Sequence, residues 1–125
     1  MKKIINTPHA PAPIGPYSQA VMHGNTLYVS GQIAINPATG DLVMDSIKAE
    51  TTQVMNNLKA ILTAAGMDFS HIVKTGIFLM DMKDFAAVNE VYGSYFTRDF
   101  PARETVQVAC LPKNVNVEIS VIAVL

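Results

Sequence analysis

Arginine, glutamate and asparagine beside apolar strands are the residues of this chain whose types invite chemistry. The chain holds two arginines, Arg98 and Arg103. Arg98 ends a helical stretch, where a cation suits the helix dipole. Arg103 follows Phe100-Pro101-Ala102 at the mouth of a predicted strand. It reads either as a solvated strand-end residue or as a bidentate clamp for a carboxylate. Glu118 lies in a strand with few polar residues after it, so it pairs at a rim, binds something, or works as a general acid/base in a semi-apolar pocket. Asn89 borders the apolar stripe of a helix and reads as helix surface or as a donor aimed at a ligand. His9, His23 and His71 are dispersed, with no metal-like spacing to one another or to Cys110. Cys110 has no basic neighbour in sequence and reads as a buried structural thiol. There is no G-x-S-x-G, P-loop or dinucleotide fingerprint.

The elements that must position these residues are set by length and patterning. A chain of 125 residues fits one domain, residues 1–125, large enough to bury a core without disulfides. A net charge of −1 gives no electrostatic footprint for nucleic acid or an anionic membrane. A single cysteine suits a reducing compartment, and the proline-rich start lacks the apolar stretch of a signal peptide, so a cytoplasmic location is expected. No run is long enough to span a bilayer. Charged residues make up 15% of the chain, against about 25% in an average soluble domain. Too few charges remain to coat so small a domain, and copies of the same chain are expected to cover an apolar surface.

Pro8, Pro11, Pro13 and Pro16 make an extended arm, because fixed φ and missing donors forbid helix and central strand. Tyr17 to Met22 reads as a short strand, His23-Gly24-Asn25 as a turn, and Leu27 to Ile35 as a longer strand. From Ser46 to Ala65, Val54, Leu58, Ile61, Leu62 and Ala65 recur at helical spacing, with Gly66 where a left-handed cap is wanted. Ile72 to Met80 is β-branched and apolar, Asp81 offers an N-cap, and a second helix is expected from about Lys83 to Thr97. Two last strands, near Thr105 to Leu111 and Val115 to Val124, flank Pro112-Lys113-Asn114. The predicted order is β-β-β-α-β-α-β-β, an α+β layer with two helices on one face of a mixed sheet. A simple hairpin about Pro112 to Asn114 would set Arg103 near Val124 and away from Glu118. Alternation turns Glu104 away from the side that Arg103 faces.

Several segments in order carry a resemblance: Gly15-Pro16-Tyr17-Ser18-Gln19-Ala20, Tyr28-Val29-Ser30-Gly31-Gln32-Ile33, Asn56-Leu58 before Ala64-Gly66, Asp84-Phe85 with Asn89, Pro101-Ala102-Arg103, Leu111-Pro112 and Glu118-Ile119. Together they resemble the RidA/YjgF family of reactive intermediate deaminases, over essentially the whole chain. The resemblance implies a chorismate-mutase-like α+β fold, assembled as a homotrimer with ligand clefts between subunits. It implies cofactor-free hydrolysis of 2-imino acids or their enamine tautomers, such as 2-aminoacrylate, 2-iminopropanoate and 2-iminobutanoate, to a 2-keto acid and ammonia. By matching position, Arg103 would grip the substrate carboxylate and Glu118 would position or activate water. Tyr17, Ser30, Gly31, Asn89 and Thr105 would line the pocket, Gly31 and Thr105 acting through backbone groups. Two other classes stand beside the deaminase: a regulator that binds a 2-keto or amino acid in the same cleft, and an RNA-cleaving protein, against which the absence of a basic cluster argues.

Overall fold

Residues 1–125 are described by a computed structural model. Its strands are β1 (Lys2–Ile5), β2 (Ala20–His23), β3 (Thr26–Gln32), β4 (Ile72–Leu79), β5 (Ala102–Gln107) and β6 (Val117–Val124). The helices are α1 (Ile47–Ala64), between β3 and β4, and α2 (Phe85–Gly93), between β4 and β5. The element order β-β-β-α-β-α-β-β is the one expected. The six strands form one mixed sheet in the order β1-β2-β3-β6-β4-β5. Only β4 and β5 run parallel.

Local chemistry explains the helix limits. Ser46 caps α1, its hydroxyl accepting from the Ala49 amide at 3.0 Å, and Gly66 takes a φ of +74° just beyond the other end. Asp81 accepts from the Lys83 amide at 2.9 Å and starts a tight turn that leads into α2. That helix ends at Gly93, short of the expected Thr97, where glycine is a poor helix former. Tyr95 and Phe96 instead join an aromatic cluster with Phe69, Tyr92 and Phe100.

Strand alternation divides β6 cleanly. Val117, Ile119, Val121 and Ala123 are buried toward the helices, and Leu58, Ile61 and Leu62 of α1 join them in one core of 21 residues. The opposite face of the sheet carries no covering layer. Ile4, Tyr28, Val106 and Val124 stand exposed on or beside it, as the shortage of charge suggested. No helix is long and apolar enough to cross a membrane.

Three expectations need correction. The last two strands do not form a hairpin, because β4 lies between them and pairs with both. Consequently β5 spans Ala102–Gln107 instead of Thr105 to Leu111, its range set by the parallel ladder from Lys74↔Ala102 to Leu79↔Gln107. Cys110 is exposed, since the chain has left the sheet before reaching it. In addition, Lys2–Ile5 is a strand upstream of the proline arm, paired to β2. Leu58 is fully buried at the centre of the helix-to-sheet contact, so Leu58→Ala should lower the unfolding free energy by about 2–5 kcal/mol in chemical denaturation.

Candidate active site

The sequence-predicted residues fall into two groups on opposite sides of the sheet. On β5, Arg103 pairs with Thr75 of β4, which pairs with Val121 of β6, so Arg103 ends a row on the helix-facing side. Glu118 pairs with Phe78 of β4, three residues along from Thr75. An odd offset along a strand means opposite faces. Two strand spacings and three residue rises separate the two α-carbons by about 14 Å. Within one chain, Arg103 and Glu118 do not converge.

The first group is built around Arg103. Its Nη1 donates to Asn89 Oδ1 at 2.7 Å, and its guanidinium carbon lies 5.7 Å from the Phe85 ring centre and 5.2 Å from that of Tyr92. All three partners come from α2, whose packing therefore aims the guanidinium. Tyr92 is itself anchored, donating to Thr75 Oγ1 at 2.9 Å. Burial pushes its phenol pKa up, which the Thr75 bond and the Arg103 charge only partly oppose. Arg103 has no carboxylate partner. A guanidinium stacked on aromatic rings, with donors to spare, is preorganised for a carboxylate. Thr105 lies two residues along the same face, and its hydroxyl oxygen is buried with no hydrogen-bond partner. Glu104 points the other way and pairs with Lys74 at 3.1 Å, as alternation required.

The second group surrounds a cavity of about 500 Å³. Tyr17, Ser30, Gly31 and Glu118 line it together with Ile14 and Lys113. Glu118 reaches it because β3 carries a bulge: pairing with β6 shifts between Val29↔Val121 and Gln32↔Ile119, so Ser30 and Gly31 both lie opposite Ser120. Glycine leaves room there for the Glu118 carboxyl to lie against the strand. A Cβ at Gly31 would overlap Glu118 Oε2 and sit 2.8 Å from its Cδ. Ser30 donates its hydroxyl to the Ser18 carbonyl at 2.6 Å, and the Tyr17 hydroxyl accepts from the Ile14 amide at 3.3 Å. Lys113 and Asn114 both hold φ at 56°, an uncommon left-handed pair that turns the chain sharply before β6. Burial raises the Glu118 pKa above the usual carboxylate range.

Three buried polar side chains hold these walls and carry no role in the sequence reading. Gln19 accepts from the Thr7 amide at 2.8 Å and donates to carbonyls of the proline arm, including Pro11 at 2.9 Å. Asn57 donates to the Ile33 and Ile35 carbonyls at 3.1 and 3.0 Å. Glu50 accepts from Asn116 and Val117. In a single sequence such residues look like the polar face of a helix or arm, and nothing in their neighbours marks them. No cluster of three or more His, Cys, Asp or Glu side chains is placed to hold a metal ion.

The family model described as Endoribonuclease L-PSP matches residues 7–125. The chain belongs to the RidA/YjgF family. It is 51% identical over 124 residues to a 2-iminobutanoate/2-iminopropanoate deaminase of Capra hircus, covering 99% of this chain and 90% of the relative. A RutC family protein of Pyrococcus horikoshii is 52% identical over 123 residues, covering 98% of each chain. The crystal structure of E. coli TdcF with bound serine superposes with a TM-score of 0.94 at 43% identity, again covering 98% of each chain. The two residue groups of this Rid family chain thus sit on a fold shared with proteins bearing different functional names.

The raised pKa of Glu118 has a consequence for stability. The folded protein holds the Glu118 proton to higher pH than the unfolded chain, so this group costs nothing below the ordinary glutamate range and destabilises the fold as pH rises through it. Glu118→Gln removes that loss. Between about pH 4 and about pH 7 the Tm difference should shift in favour of the variant. Parallel Tm curves in calorimetry would show that the carboxyl is fully solvated.

Proposed function

We propose that this protein hydrolyses 2-imino acids, or their enamine tautomers, to 2-keto acids and ammonia. The observation that carries this reading is an arginine without a carboxylate partner, held ready by Asn89, Phe85 and Tyr92. Its natural complement is the carboxylate of a small acid. The other requirement of the chemistry is a proton carrier. A protonated imine carbon is electrophilic: water adds to it, forming the C–O bond as the C=N π bond opens, and the carbinolamine then collapses to the keto C=O as the C–N bond breaks, ammonia leaves and the hydroxyl proton is lost to solvent. Glu118 would take the proton from the attacking water and return it to the departing nitrogen. Burial raises its pKa, which favours the protonated form that returns the proton. Tyr17, Ser30, Gly31, Asn89 and Thr105 would shape and bind, and the chemistry as written draws on no cofactor.

Because the two half-sites lie on opposite faces of one sheet, the complete site would form between copies of the chain. The exposed apolar side chains beside the uncovered face support such an assembly, and a homotrimer is the arrangement we propose. The net charge of −1 gives no support to an RNA substrate, whatever the description of the family model. A cytoplasmic location, close to the enzymes that release imino acids, is the setting we propose. Binding without turnover is the second reading, favoured by the relative whose structure holds serine.

The experiment generates 2-aminoacrylate or 2-iminobutanoate in situ with a serine or threonine dehydratase and follows keto-acid release. Wild type should accelerate release, and Arg103→Ala should lose on the order of a hundredfold in kcat/KM. Glu118→Gln should lose turnover while still binding a 2-keto acid. Equal acceleration by wild type and Arg103→Ala would overturn the proposed clamp, and retained binding with no turnover by wild type would favour the regulator.

Shared sites make a further expectation. When Arg103→Ala and Glu118→Gln chains are unfolded, mixed in equal amounts and refolded, about a quarter of the intersubunit sites regain both residues and that fraction of activity returns. A mixture as inactive as its parents would place the whole site within one chain.

A further inference from the structure

Glu50 is the only charged side chain among the buried residues, with no exposed surface at all. No cation pairs with it. Such a carboxylate is tolerable only if its oxygens are fully hydrogen-bonded. Three donors do this: the Asn116 amide at 2.7 Å, the Asn116 side-chain nitrogen at 2.9 Å and the Val117 amide at 3.2 Å.

The donors lie where β6 has no β3 partner and is paired by β4 alone. Pairing of β3 with β6 ends at Gln32↔Ile119, and pairing of β4 with β6 ends at Leu79↔Val117, with one more bond from the Met80 amide to the Asn116 carbonyl. Glu118 follows immediately. The carboxylate of Glu50, on the first turn of α1, thus grips the backbone of the two residues that set where the Glu118 side chain leaves the strand. Gly31 closes on that side chain from the neighbouring strand.

We infer that Glu50 is a positioning residue for Glu118: it fixes the first residues of β6 so that the Glu118 carboxyl stays against Gly31 inside the cavity. This rests on the reading of Glu118 as the proton carrier. Glu50 does not touch the cavity, whose lining includes neither it nor its partners Asn116 and Val117. Tyr17 and Lys113 are the other titratable groups lining the cavity.

The test compares Glu50→Ala and Glu50→Gln with wild type. In the alanine variant the strand start loses its acceptor, water enters beside Glu118, and the Glu118 titration followed by carboxyl carbon NMR should move down toward the usual range. The Glu118 resonance is the one missing from Glu118→Gln. In the same variant kcat should fall by on the order of tenfold to a hundredfold, while KM changes by less than about twofold, because Arg103 is untouched. Glu50→Gln should restore both, since its oxygen can accept from the two amides and its nitrogen can donate to the Asn116 side-chain oxygen once that amide turns over. A folded Glu50→Ala protein with native Glu118 titration and native kcat would overturn the inference. If the alanine variant does not fold, Glu50→Asp, one methylene shorter, is read by the same two measurements with the same criteria. If wild type shows no imine turnover while the Glu118 titration still responds to Glu50, the deaminase reading fails and the positioning of Glu118 stands.

Discussion

The placement of β6 governs this molecule. It lies antiparallel between β3 and β4, so a strand from the end of the chain joins segments from its beginning and its middle. A strand has two faces, and this one uses both. Its odd-numbered residues complete the core under α1 and α2, while Glu118, Ser120 and Ile122 look outward. A slip of one residue would bury Glu118 and expose Val117 and Ile119, so the core that stabilises the fold also holds the carboxylate in its orientation.

The same alternation forces the split between Arg103 and Glu118. β4 relates the two strands, and its residues Thr75 and Phe78 set the arginine and the glutamate on opposite faces. Each half can then be prepared by its own surroundings. The arginine is desolvated by two aromatic rings from α2, and the glutamate by the cavity beneath the proline arm. Within one chain, Arg103 therefore has no ion pair with Glu118.

Much of the fold was legible in the sequence because its signals are local. Helical spacing from Val54 to Leu62, Ser46 before it and Gly66 after it located α1, and alternation from Val117 to Ala123 located both faces of β6. Strand partners are not local. Pro112-Lys113-Asn114 resembles a hairpin turn, yet the chain crosses there from the edge strand β5 past β4 to reach β6. That single misreading moved β5 by three residues at its start and placed Cys110 in a strand. Of the candidate site, Arg103 and Glu118 stood out as charges beside apolar strands. Gln19, Asn57 and Glu50 did not, because their partners are backbone groups distant in sequence, and no residue type announces such a bond.

Those three residues also explain why an irregular site can be rigid. The cavity is bounded by the proline arm, the segment that follows the β3 bulge and the start of β6, stretches where regular pairing fails or ends. Backbone groups freed from pairing must still be satisfied when buried. Each stretch is met by one long polar side chain from a well-paired element: Gln19 at the junction with β2, and Asn57 and Glu50 from α1. A helix can serve two loops at once because residues seven apart lie on one face. The precision of the Glu118 side is thus borrowed from the best-packed helix of the fold. It follows that changes to the α1 face which leave the core volume intact can still reach the site, through hydrogen bonds and not through packing.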